Sequence, residues 1–330
     1  NPECMENPTQ LNAKEGFVAV PFKVSDKNPI VLIHPDIIME GEKVILNFIV
    51  KDISKSHHSE RSPFETDINP TDTFQTYQIA FEQFQEALRS NDCEKIVLSR
   101  TFSMSRPSGF SAGNTFKAAC EAYPEAYVYL CHTPLTGTWL GSSPELILSG
   151  NGTDWQTVAL AGTKRASAVG ETLNWDQKNI KEQHIVADYL EKQLTALHLT
   201  CTINGAFASR AGKLMHLKTE FSFKMADNKK IGDLLESLHP SPAVCGYPKE
   251  TAYRLINEKE GYDRQYYSGF IGELSMNGKT NLYVNLRCMQ IRPDSLTLFA
   301  GGGLLTSSEL TSEWEETEEK LQTMLSLIEY

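Results

Sequence analysis

Residues 269–291 read GFIGELSMNGKTNLYVNLRCMQI. Two apolar runs, 269–275 and 282–291, flank the pair Asn277-Gly278. Asparagine and glycine both accept positive φ, which the tight turn between antiparallel strands requires, so the stretch predicts a β-hairpin. In extended chain, side chains alternate between faces, and Arg287 then shares a face with Tyr283, Asn285 and Met289. Turned inward, that arginine grips a carboxylate; turned outward, it is merely solvated.

Toward the C-terminus, a strand at 296–300 runs into residues 299–320, FAGGGLLTSSELTSEWEETEEK. Three adjacent glycines, Gly301, Gly302 and Gly303, let backbone N–H groups turn toward one point, which suits an anion. The helix that follows places Glu313, Glu316 and Lys320 at i, i+3 and i+7, on one face. Carboxylates beside an anion cradle suggest a bridging cation, and Mg2+ favours such oxygen donors. Taken alone, the segment reads more simply as a glycine turn followed by a solvated acidic helix.

Toward the N-terminus, a helix at 249–260 follows a loop stiffened by Pro240, Pro242 and Pro248, which holds Ala243. A helix at 231–238 precedes it. The strand at 214–224 carries His216, and a single histidine is more often a hydrogen-bonded core residue than a base or ligand. The long helix is 175–197, with an apolar stripe of Ile185, Val186, Tyr189, Leu190 and Leu194. Glu182 lies on the side of that stripe, where a lone carboxylate is expensive unless paired or metal-bound. The other reading is an acid at the helix end reaching back to solvent.

Extended runs occupy 155–164, which ends in Gly162-Thr163-Lys164, then 138–149, with Glu145 after a tight turn, and 126–132. A helix at 115–122 and a strand at 95–102 lie upstream, and alternation along that strand groups Lys95, Val97 and Ser99. Helix 74–90 spaces Tyr77, Phe81, Phe84 and Leu88 by four, three and four. Residues 51–72 read as loop, with His57 and His58 on its surface, and 16–24, 30–38 and 43–50 as strands. Hairpins outnumber strand–helix–strand units, so the fold class is α+β with antiparallel sheets.

The chain has 330 residues, ample for a large core. Its 40% hydrophobic and 22% charged residues describe a globular protein. A net charge of −11 argues against a nucleic-acid or acidic-membrane partner. No run reaches the ~18 apolar residues of a membrane span. Seven scattered cysteines without a C-x-x-C point to a reduced, cytoplasmic protein with neither a disulfide framework nor a zinc site.

The segments KIVLSR (95–100), SSPELIL (142–148), ALAGTKR (159–165), KNIKEQHIV (178–186) and HPSPAVCGYPKE (239–250) occur in order. YYSGFIGEL (266–274), VNLRC (284–288), FAGGGLL (299–305) and an E-x-x-E-T-x-x-K run (313–320) follow them. Together they resemble the chorismate-utilising enzymes, which include anthranilate, aminodeoxychorismate, salicylate and isochorismate synthases. The motifs span 74–330, and 1–73 resemble the family's variable N-terminal part, so the resemblance implies one chorismate-binding domain over 1–330. It also implies two large antiparallel sheets packed together with helices outside, an active site in the cleft between them, and Mg2+ dependence. By motif, Glu182 and Glu316 correspond to the metal-binding glutamates and Glu313 to a third acid that reaches the metal through water. Arg287 and Tyr267 correspond to groups on the enolpyruvyl carboxylate, and Gly301, Gly302, Gly303 and Lys320 to contacts at the same end. Gly162 and Thr163 correspond to a backbone contact near the ring, and His216 to a histidine by the ring carboxylate.

Within the family the nucleophile decides the product. Lys95 and Glu145, fifty residues apart, match the base and acid of the isochorismate synthases. There, the lysine takes a proton from the water that attacks C2, and the glutamate protonates the departing C4 hydroxyl. Such roles require a lysine pKa well below its usual ~10.4 and a raised glutamate pKa. Ala243 stands where other members place a nucleophilic lysine or a threonine. The resemblance thus implies an isomerase that makes isochorismate from chorismate for menaquinone or siderophore synthesis, a monomer without an amidotransferase subunit. The alternatives are a salicylate synthase and a non-catalytic chorismate-binding protein. Gln183-His184 departs from the residues that usually follow the metal glutamate, while Glu182 stays in register.

Overall fold

The computed structural model describes residues 2–39, 73–165, 174–211, 214–226 and 228–328. The strand expected at 43–50 and the loop with His57 and His58 lie outside the described residues. The strands are β1 (Glu3–Met5), β2 (Gly16–Val20), β3 (Ile30–Ile33), β4 (Lys95–Ser105), β5 (Tyr127–Thr133), β6 (Gly137–Ser143), β7 (Leu146–Asn151) and β8 (Asp154–Arg165). They continue as β9 (Cys201–Ala211), β10 (Leu214–Lys224), β11 (Gly246–Tyr247), β12 (Phe270–Met276), β13 (Lys279–Val284), β14 (Cys288–Ile291) and β15 (Ser295–Leu304). The described α-helices are α1 (Phe74–Arg89), α2 (Ala112–Ala122), α3 (Gln177–Ala196), α4 (Ile231–Leu238), α5 (Lys249–Lys259) and α6 (Leu310–Leu325). Nine strands form one sheet in the order β1-β3-β2-β12-β13-β7-β8-β10-β9, and six form another, β11-β4-β15-β14-β6-β5. The pairings are antiparallel, as the hairpin-rich sequence predicts.

Asn277 and Gly278 take φ of 51° and 75° and join β12 to β13. The run 282–291, however, is not one strand. β13 ends at Val284, and β14 begins at Cys288 in the other sheet. Asn285 anchors the crossing. Its N–H donates to the Gly269 carbonyl (2.8 Å), its Nδ2 to the Tyr266 carbonyl (2.9 Å), and its Oδ1 accepts from Tyr129 (2.5 Å). Arg287 follows at φ 48°, outside strand geometry, so it shares no strand face with Tyr283 and Met289. Gly301–Gly303 are likewise no turn. They continue β15 opposite Ser99, Leu98 and Val97 of β4, so their N–H groups do not converge on one point. β9, absent from the sequence reading, is an edge strand with both faces largely exposed, which leaves it no apolar alternation to detect.

Three packing layers hold the sheets. α1 caps on Thr73 and buries Tyr77, Phe81, Phe84 and Leu88 with Ile256 of α5 against Ile96 and Leu98 of β4. Val186, Tyr189, Leu190 and Leu194 of α3 join Leu234 and Leu238 of α4 against the nine-stranded sheet. Alternation along β15 sends Leu298 toward Leu321 and Met324 of α6, and Phe299 between the sheets. There Phe299 stacks on Trp139 and Tyr267 at ring separations of 5.4 and 5.2 Å. Each fully buried side chain of this size contributes about 1.5–3 kcal/mol. The helices lie outside, and the cleft opens where the aromatic layer ends.

Candidate active site

The cleft forms where β4 and β15 face α3, β8 and β10. Lys95 opens β4; its side chain is 0% exposed, and its Nζ lies 2.9 Å from Glu182 Oε1. That approach depends on glycine. A Cβ at Gly303 would stand 2.3 Å from Glu182 Oε1 and 2.7 Å from Lys95 Cε. One at Gly302 would stand 3.2 Å from Glu313 Oε2 and 3.6 Å from Glu316 Oε1, and one at Gly301 would stand 2.9 Å from the Tyr267 hydroxyl. The three glycines are therefore a strip of strand without side chains, onto which three glutamates and a tyrosine close.

α3 delivers Glu182. Asp176 caps the helix by accepting the Asn179 N–H at 2.9 Å. Gln183 then fixes the helix against the sheet. Its Oε1 accepts the Ala161 N–H at 2.9 Å, and its Nε2 donates to the Ala159 carbonyl and Thr219 Oγ1, each at 3.1 Å. The residue that departs from the motif thus has a positional role beside the glutamate. Asn179 Oδ1 accepts the Thr163 N–H at 2.9 Å, and Gly162 turns at φ 72°. The Gly162 carbonyl lies 3.0 Å from His216 Nδ1, so that nitrogen carries the hydrogen. Burial, aided by the nearby Arg287 and Lys320 charges, pulls the His216 pKa down to about 3 and keeps the ring neutral. Its buried Nε2, which has no partner, therefore holds a lone pair and accepts rather than donates.

Glu145 sits between β6 and β7. Its N–H donates to Ser143 Oγ at 3.3 Å, and its carbonyl accepts the Val284 N–H at 2.9 Å. The residue is 4% exposed. Burial outweighs the pull of Lys95, Lys320 and Arg287 and pushes its pKa up to about 8, so it keeps its proton at neutral pH.

α6 holds the opposite state. Burial pushes the Glu316 pKa up, but Lys320 and Lys178 outweigh it and hold the carboxyl below its ordinary value. Glu316 Oε1 lies 2.5 Å from Lys320 Nζ, which also donates to the Gly301 carbonyl at 2.7 Å. Glu313 is 1% exposed and pairs with Lys178, while its Oε2 is buried without a partner. Burial raises the Glu313 pKa. This face of the acidic helix is therefore not solvated.

Glu145, Gly162, Thr163, Glu182, His216, Ala243, Tyr267, Arg287, Lys320 and the three glycines all line one cleft. Lys95, Glu313 and Glu316 stand directly behind it, against Gly303 and Gly302. Arg287 reaches the cleft from the crossing between sheets rather than from a strand face. Lys178 was not singled out by the sequence; its signal is its place one helical turn before Glu182, at i and i+4.

Among the described residues, no three His, Cys, Asp or Glu side chains stand close enough to hold a metal ion as they are. Each glutamate instead faces a lysine: Glu182 with Lys95, Glu313 with Lys178, and Glu316 with Lys320. The donor set is still the one a hard divalent cation takes. Three carboxylates surround bare glycine backbone, and one of their buried oxygens lacks a partner.

Known proteins are similar to this chain in sequence and in fold. Isochorismate synthase EntC of Escherichia coli is 30% identical over 247 residues, which cover 71% of this chain and 62% of that protein. The chain thus spans less than two thirds of that curated relative's length. The solved structure of DhbC from Bacillus anthracis superposes with a TM-score of 0.80 at 24% identity, covering 99% of this chain and 91% of that one. MenF, the menaquinone-specific isochorismate synthase of Escherichia coli, superposes with a TM-score of 0.76 at 22% identity, covering 95% and 78%. Both likenesses establish the two-sheet fold. The family described as chorismate binding enzyme matches residues 23–329, and the chain belongs to that family.

Proposed function

We propose that the chain is a Mg2+-dependent isochorismate synthase. The observation that carries this reading is Glu145, a buried glutamate that keeps its proton up to about pH 8 in the same cleft as the Lys95–Glu182 pair. A binding protein has no use for a protonated acid beside a buried lysine. The isochorismate synthase relative favours the same product.

Lys95 takes a proton from the water that attacks C2 of chorismate, and Glu145 gives its proton to the C4 hydroxyl, which leaves as water. One water enters and one departs, so the net change is an isomerisation. Nζ must shed its own proton and part from Glu182 before it can accept that one. Arg287, Tyr267 and Lys320 hold the enolpyruvyl carboxylate. His216 Nε2 accepts a hydrogen bond from a substrate or water hydroxyl. Glu182 and Glu316 would hold the magnesium ion, with Glu313 behind them. Bound there, the ion supplies charge neutralisation at the ring carboxylate. About 60 Å3 of free space lies between the walls, room for a few waters rather than a ring with two carboxylates. The lysine–glutamate pairs must therefore open as substrate and cation enter.

Incubation with chorismate and Mg2+, followed by chromatography, tests the assignment. Isochorismate is the expected product. Salicylate with pyruvate would make it a salicylate synthase, and unchanged chorismate would leave a binding protein.

A further inference from the structure

Lys178 lies in the first turn of α3, on the same face as Glu182, and pairs with Glu313 of α6. Glu182 lies one helical turn further along α3, and Glu316 Oε1 closes on Gly302 beside Glu313 Oε2. One ammonium among three glutamates is placed as a cation would be. The other two lysines are held by the cleft: Lys95 is 0% exposed, and Lys320 is also bound to the Gly301 carbonyl. Lys178 is 25% exposed, against 12% for Lys320 and 0% for Lys95, so it has the most open path back to water, where a released ammonium regains its hydration.

We propose that Lys178 is the resident counter-ion of the three-glutamate pocket, neutralising it in the metal-free chain, yielding to the divalent cation, and so setting that cation's affinity. This rests on the magnesium reading of Glu182 and Glu316 given above. Lys178 is a positioning residue in this scheme, because it acts on the glutamates and touches no substrate. An ordinary salt bridge that only pins α3 to α6 makes a different prediction. Its loss would loosen the pocket and weaken cation binding. Loss of a competing counter-ion leaves the pocket more negative and strengthens it.

The test is direct binding of Mn2+ to the full chain, followed by electron paramagnetic resonance of the free ion, with the Tm of the metal-free protein alongside. Lys178→Met is expected to bind Mn2+ at least about tenfold more tightly than wild type, with a lower metal-free Tm. Lys178→Arg, which keeps the charge, is expected to match wild type in both. Lys178→Gln replaces the methionine variant if that variant folds poorly. Mn2+ affinity that is unchanged or weaker in the neutral variant overturns the proposal. Glu316→Gln separates it from the underlying reading. Weakened Mn2+ binding there supports the metal assignment, whatever Lys178→Met does. Undiminished binding there overturns both.

Discussion

The two ends of the cleft use the same residue type in opposite charge states. Glu145, between β6 and β7, is buried with lysine and arginine near but none in contact, and its pKa rises to about 8. Glu316, on α6, is in contact with Lys320 and within reach of Lys178, and its pKa falls. Burial pushes both upward, and at Glu316 the charges of Lys320 and Lys178 together outweigh it. One glutamate keeps its proton and the other is an anion. Such a separation of two carboxyl pKa values by environment is what the proposed acid and metal-ligand roles require.

The sharpest way to break this contrast is to remove the proton donor. Glu145→Gln keeps the shape and loses the transferable proton, and Lys95→Ala removes the base. Each is expected to lower kcat for isochorismate formation by about 10²–10⁴-fold, while chorismate binding, followed by calorimetry, persists. Wild-type turnover in either variant would remove that residue from the mechanism. Next in size is a backbone test at the anionic end. Gly303→Ala places a methyl group where Glu182 Oε1 and Lys95 Cε now stand, so both must move. Activity is expected to fall by about 10–100-fold, as misplacement of a catalytic group by about 1 Å commonly produces. Gly302→Ala, whose Cβ has 3.2 Å to its nearest neighbour, is expected to fall by much less. Equal losses in the two would show that the glycines act through the ladder rather than through side-chain clearance.

Much of this arrangement was legible in the sequence, for physical reasons that differ by residue. The Asn277-Gly278 turn, the spacing of α1 and the α3 stripe at Val186, Tyr189, Leu190 and Leu194 rest on local signals and stand, while Ile185 of that stripe is only half-buried. The motif-matched Glu145, Gly162, Thr163, Glu182, His216, Tyr267, Arg287, Lys320 and the three glycines line one cleft, with Lys95, Glu313 and Glu316 behind it. What failed was set by tertiary context. Period-2 alternation cannot announce that a chain leaves one sheet for another after Val284, so Arg287 was placed on a strand it does not belong to. Three glycines look like a turn unless one knows that side chains from α3 and α6 need the space above a strand. Lys178 carried only the weak i, i+4 signal, because its principal partner, Glu313, lies 135 residues away.

A pH profile sharpens the contrast by a smaller factor. The donor at Glu145 is competent while protonated, so kcat is expected to hold up to about pH 8 and then fall about tenfold per unit. The Glu316 end is anionic throughout that range and adds no limb there. A profile still flat at pH 9.5 or beyond would mean that Glu145 is not the group that gives the proton.

The smallest effect concerns stability, and its sign follows from the same burial. In the folded chain Glu145 keeps its proton up to about pH 8, whereas in the unfolded chain it ionises near its ordinary value of 4.5. Between those values the folded state binds more protons than the unfolded one, so stability falls as pH rises, and the deficit is complete above about pH 8. Its size is on the order of 3–5 kcal/mol. Glu145→Gln has no proton to lose and escapes this deficit. The variant that is expected to be nearly inactive is therefore also expected to melt higher than wild type at pH 8.5, by at least about 4 °C. Well below pH 4.5, where both states hold the proton, the gain should vanish. A Tm difference independent of pH would show that the amide changes packing alone and that burial does not hold the proton on Glu145.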